Sequence, residues 1–123
     1  MSKKVFADAF FTQFHDFLGE LSKVFPDDPD FPAYKTGLSF LQMMNPAMVI
    51  SEFKNHVLPY ETTLREKNSD FFMNHKFEDV VSADMSMDAI ILKLKNLWAG
   101  LSSKSQDAIW NYIILLVDIV KRC

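Results

Sequence analysis

Three carboxylates in a row of four residues, Asp27, Asp28 and Asp30, form the densest group of potential cation ligands in this 123-residue sequence. A hard cation such as Ca²⁺ needs six to eight oxygens, and the compact way to supply them is a twelve-residue loop with fixed ligand positions. Begun at Asp28, that loop would set Pro32 fifth, Ala33 sixth where Gly is needed, and Ser39 twelfth where a bidentate Glu belongs. The pattern fails. The three Asp are expected to form a solvated loop whose charge suits the positive N-terminus of the helix that follows.

The other groups that could do chemistry are dispersed. His15, His56 and His75 sit on three separate segments, none at the H-E-x-x-H or C-x-x-C spacing that preorganises zinc. His15 precedes Asp16 and His75 stands near Glu78, but a base beside an acid is no triad without a placed nucleophile. Cys123 is the single cysteine, which rules out an intrachain disulfide and suggests a reducing compartment. Gly19, Gly37 and Gly100 are isolated, so no glycine-rich phosphate cradle is written here. The expectation is no catalytic residue, no metal and no cofactor, with a small-molecule ligand also unexpected.

Methionine is the residue type most suited to recognition. Met43, Met44, Met48, Met73, Met85 and Met87 are numerous for a short chain, and flexible thioethers serve irregular cores and adaptable binding grooves alike. Core filling is the ordinary role. The sharper expectation is a groove lined by Met44, Met48, Phe71, Phe72 and Met73 that would hold a partner's amphipathic helix.

Helices must position these residues. Phe6, Phe10, Phe14, Phe17, Leu21 and Val24 recur at steps of four and three, one face of a helix over about 4–24 that Pro26 ends. Pro26, Pro29 and Pro32 then stiffen a connection pinned by Phe25 and Phe31. A helix over about 33–44 is expected to turn Tyr34, Leu38, Leu41 and Met44 inward. Asn45-Pro46 is an N-cap and first-turn pair, opening a helix that carries Val49, Ile50, Phe53 and Val57 as far as Pro59. A short helical turn over 60–66 follows, and Phe71, Phe72, Phe77, Val80 and Val81 have no clear period. Ser86 can cap a helix bearing Ile90, Ile91, Leu94, Leu97, Trp98 and Leu101, ended by a left-handed Gly100.

The last helix is apolar on nearly every side. Ser103 and Gln106 have capping-box spacing, which predicts a start near Lys104. Ile109, Ile113, Leu116 and Val120 make one stripe, and Trp110, Ile114 and Val117 a second beside it. Such a helix lies inside a bundle or against a partner. The excess suggests Trp110, Ile114 and Val117 as a further partner surface, and the short link through Gly100 suggests a C-terminal antiparallel helical hairpin.

Composition agrees with an all-α single-domain bundle of five to seven helices over residues 1–123, with Phe10, Phe14, Phe17, Leu21, Phe53, Leu94, Trp98, Ile109, Ile113 and Leu116 in one core. Hydrophobic residues make up 49% and Phe numbers twelve, whereas three Gly and five Pro are too few for the turns of an all-β fold. The net charge of −3 is spread without a basic stripe, so nucleic acid is not expected as the main ligand. No secretory leader or membrane-spanning run is read, and a cytoplasmic location is expected.

Taken together, Phe10-x-x-x-Phe14-x-x-Phe17-Leu18-x-Glu20-Leu21, Phe25-Pro26-Asp27, Asn45-Pro46, Phe53-x-x-x-Val57-x-Pro59-Tyr60, Asn68-Ser-Asp-Phe-Phe72, Leu97-Trp98 and Ile109-Trp110 resemble small uncharacterised helical proteins of nucleocytoplasmic large DNA viruses, algal and mimivirus-like ones included. The resemblance implies a viral protein, and carries over no activity or site residue. Its relatives often have a charged and aromatic final helix, where this chain has the more aliphatic Tyr112-Ile-Ile-Leu-Leu-Val117. The function expected is therefore a non-enzymatic interaction or structural protein, in a virion or virus factory, that self-associates or binds a protein partner. The alternative is a regulatory adaptor using the apolar groove.

Overall fold

The computed structural model describes residues 3–74 and 87–123, without the side chains of residues 73, 74, 87 and 88. The expected places of His75, Phe77, Val80, Val81 and the Ser86 cap, and the side chain of Met73, lie outside the described residues. What is described is an all-α domain, with no strand among those residues.

Helix α1 (Lys3–Val24) buries Phe10, Phe11, Phe14, Phe17, Leu18 and Leu21. Phe11 and Leu18 widen its apolar stripe so that it serves two neighbours, α2 (Asp30–Met44) on one side and α7 (Ser103–Val120) on the other. Val24 ends the stripe in solvent at 46% exposure. Helix α2 runs back antiparallel, as the hydrogen-bond contact of His15 Nε2 with Gln42 Oε1 (3.1 Å) and the stacking of Phe25 on Phe31 (5.7 Å) fix the two ends of the pair. It starts three residues before the expected Ala33. Pro32 is harmless in a first turn, where backbone N–H groups have no intrahelical acceptor, and Asp28 Oδ1 accepts the Asp30 N–H at 2.9 Å.

Helix α3 (Pro46–Val57) opens as read: Asn45 Oδ1 accepts the Met48 N–H at 3.2 Å, with Pro46 in the first turn. After a 3₁₀ turn at Leu58–Tyr60 come α4 (Glu61–Arg65) and α5 (Asp70–Asn74). Lys67, with φ of 52°, takes the left-handed conformation that reverses the chain between them. Phe71 and Phe72, unassigned from their spacing, lie on α5 and are buried. Helix α6 (Met87–Leu97) buries Ile90, Ile91 and Leu94 and runs into a 3₁₀ turn, Trp98–Gly100.

Two expectations at the C-terminal end need correction, and a third is not established. The cap of α7 is Ser102, whose side chain accepts the Ser105 N–H at 3.1 Å; Gln106 donates to the Trp98 carbonyl at 2.9 Å and does not close a capping box with Ser103. No glycine among the described residues has positive φ, so Gly100 is not a left-handed cap, and the extended Leu101 ends the preceding turn. The packing does not establish the antiparallel hairpin either: α7 lies chiefly along α1, with α3 and α4 beside it, while α6 packs on α5 and α3.

One cluster of buried side chains joins these helices, and all ten residues expected in the core belong to it. Phe10, Phe14 and Phe53 meet edge to face with centroids 5.1–6.1 Å apart. In the same core Phe72 touches Trp98 (4.8 Å) and Trp110 (5.4 Å), which touch each other (5.0 Å). Such aromatic pairs add about 0.5–1.5 kcal/mol each beyond the area they bury.

Candidate functional site

The acidic loop already has its cation. Lys93 of α6 places Nζ 2.6 Å from Asp28 and 2.7 Å from Asp30, 5.9 Å from the centroid of the Phe31 ring. An open depression of about 640 Å³ lies over this clasp, lined by Phe25, Asp27 and the same charged groups. The Lys93 hydrogen bond holds the Asp28 carboxyl below its ordinary range against the opposing effect of burial. For Lys93, burial alone would lower the pKa, and the hydrogen bonds that its ammonium donates to Asp28 and Asp30 outweigh it and raise the value. The carboxylates therefore tie α6 to the α1–α2 turn, which spacing along the chain could not show.

His15 and His56, the histidines among the described residues, do not converge with acids around a concavity. His15 pairs with Gln42, and His56 Nε2 lies 3.1 Å from Glu52 one turn earlier on α3. Among the described residues no three His, Cys, Asp or Glu side chains gather as a cation site. Cys123 is half-buried, its thiol near the Ile119 carbonyl (3.6 Å) and its carbonyl accepting from Lys54 at 3.3 Å; burial pushes the thiol pKa up, away from reactive thiolate.

Apolar surface is concentrated elsewhere. Phe40, Met43, Met44 and Met48 are 57%, 77%, 66% and 40% exposed. Phe40, Met43 and Met44 stand at i, i+3 and i+4, hence on one face of the last turns of α2. The Asn45 cap brings the first turn of α3, with Met48, directly after them. The result is a methionine-rich corner between two helices, with nothing buried against it by the described chain. Met44 was expected to face inward with Leu38; Leu38 is in the core, whereas Met44, the last residue of α2, is exposed.

The expected groove is thus divided. Met44 and Met48 are exposed, but Phe71 and Phe72 are core residues packed on Tyr60 and on Trp98 and Trp110. The second expected surface is mostly filled as well: Trp110 and Val117 are buried and Ile114 is half-buried, because α1, α3 and α4 together cover most of α7. The signal for the corner in the sequence is a helical spacing. Phe40 and Met43 extend Met44 along one helix face.

No helix of the described residues is long and apolar enough to cross a membrane. No family model matches the chain, and neither the curated proteins nor the solved structures contain a match to it.

Proposed function

We propose that this protein is a non-enzymatic interaction module that docks an amphipathic helix of a partner protein on the corner formed by Phe40, Met43, Met44 and Met48. The observation that carries the reading is the exposure of these four large apolar side chains together, whereas the other large apolar residues among those described are mostly buried. At about 150–250 Å² for a large side chain, the corner leaves on the order of 400 Å² of apolar surface, within the range of functional patches. That is about half of what each copy contributes to a stable dimer, roughly 800 Å². It matches instead the single apolar face of a two- to three-turn helix, and unbranched thioethers adapt to such a face with little penalty. The resemblance to viral helical proteins makes virion and virus-factory proteins the first partners to test.

The test is a fluorescent amphipathic peptide with Leu at i, i+3, i+4 and i+7, titrated against the wild-type chain and against Phe40→Ser/Met43→Gln. Saturable one-to-one binding lost in the variant supports the reading. Concentration-dependent dimerisation lost in the same variant would replace the partner helix with a second copy, the structural-protein alternative. No binding and a strict monomer by light scattering would overturn both.

A further inference from the structure

A second opening, independent of the methionine corner, lies between α1 and α7. The two helices run antiparallel: Phe17 stacks on Tyr112 at 5.3 Å, and the Arg122 guanidinium lies 5.8 Å from the Phe6 ring centroid. Toward the start of α7 the residues lining the gap include Ser105 and Ala108, small side chains three apart on one face. Leu21 and Val24 of α1 face them across the gap. Two large residues against two small ones leave a cleft of about 130 Å³. Its floor is apolar, because Leu21 and Ile109 are buried there, and its aromatic wall is the Phe17 and Tyr112 pair.

The mouth carries negative charge. Glu20 lines it. Burial raises the Tyr112 pKa, and the carboxylates of Glu20 and Asp16 raise it further, while Lys23 opposes them. Lys23 reaches Glu20 at 3.1 Å through a side chain that is 77% exposed, a pair weak enough for another cation to displace.

We propose that this cleft binds a small organic ammonium ion bearing one ring or a short alkyl chain. The size argument is direct: an apolar cavity of about 150 Å³ holds a benzene ring, so this volume takes one ring. With the ring on Leu21 and Ile109, an ammonium one or two bonds further out reaches Glu20 and the face of the Tyr112 ring, where ion pairing and cation–π attraction add. A neutral ligand of the same shape gains the first contribution and forgoes the second. An anion meets Glu20 and is disfavoured.

The experiment titrates phenethylammonium, with 2-phenylethanol as the uncharged isostere, into the full chain while recording amide shifts. The expected result is saturable binding at about millimolar affinity or tighter for so small a ligand, with shifts centred on Leu101, Ala108 and Tyr112. Ala108→Leu fills the cleft from an exposed helix position and should weaken binding more than tenfold; Ser105→Leu does the same should the first variant misfold. Glu20→Gln should weaken the ammonium by roughly two- to fivefold and leave the alcohol unchanged, and Lys23→Gln should strengthen the ammonium by a similar factor. Shifts that stay linear in ligand, or binding that survives both leucine variants, would overturn the site. Equal affinity for the two probes, insensitive to Glu20, would overturn the ammonium assignment. None of these outcomes depends on the methionine corner.

Discussion

Lys93 Nζ lies 2.7 Å from the Asp30 carboxylate, 63 residues away in sequence. Through that contact and its 2.6 Å counterpart to Asp28, helix α6 is held to the turn between α1 and α2. Lys93→Met keeps the stem that covers Phe31 and removes the charge. The expected loss is about 1 kcal/mol by urea denaturation, since the pair is partly exposed and the two carboxylates regain water when the ammonium goes.

The same clasp gives a two-sided pH dependence. Asp28 has a folded pKa below its ordinary 3.8, so its contribution is present above that value and lost as the pH falls through the lowered one. Lys93 has a folded pKa above its ordinary 10.5, so its contribution is present below that value and lost as the pH rises through the raised one. Stability curves of Lys93→Met and the wild type should therefore be separated by a constant amount between about pH 5 and 9 and converge at both extremes. A separation unchanged down to pH 2 would show that the charge is not what holds the turn.

Replacing Ser102 with Ala removes the acceptor for the Ser105 N–H and should cost about 1 kcal/mol. Ser103→Ala, one residue on, should change stability by less than about 0.5 kcal/mol. Thermal denaturation of the two variants separates the observed cap from the capping box that residue spacing suggests.

Phe72→Ala opens a void against both tryptophans, and a loss of about 3–5 kcal/mol is expected. Tryptophan emission should shift to the red in the folded variant as water enters beside Trp98 and Trp110. A loss below about 1 kcal/mol would mean that Phe72 is a surface residue, as the groove expectation held.

Phe40→Ser/Met43→Gln should leave the unfolding free energy within about 0.5 kcal/mol of wild type, because both side chains are more than half exposed. Reduced binding of a hydrophobic dye, with unchanged stability, would separate an exposed docking surface from a structural one.

Local order was readable wherever a residue acts on its chain neighbours. The steps of four and three from Phe10 to Leu21 place those side chains on one face whatever the rest of the molecule does, and all of them are buried. Asn45 and Pro46 start α3 by chemistry confined to one turn. Around Ser102 and Ser103 that logic slipped by a residue, since both serines can cap and the choice turns on which N–H the surrounding fold leaves free.

Tertiary structure alone decided the rest, because periodicity identifies an apolar face without identifying what covers it. Met44 and Trp110 both belong to apolar helix faces in the sequence; the first ends in solvent because α2 stops at the edge of the bundle, and the second is buried because Phe72 and Trp98 arrive from elsewhere in the chain. Lys93 finds Asp28 and Asp30, and Ser105 and Ala108 open a cleft against Leu21 and Val24, only once helices distant in sequence lie side by side. Helix formation here is a matter of neighbours three and four residues apart, whereas burial, charge pairing and open space depend on which helix packs against which.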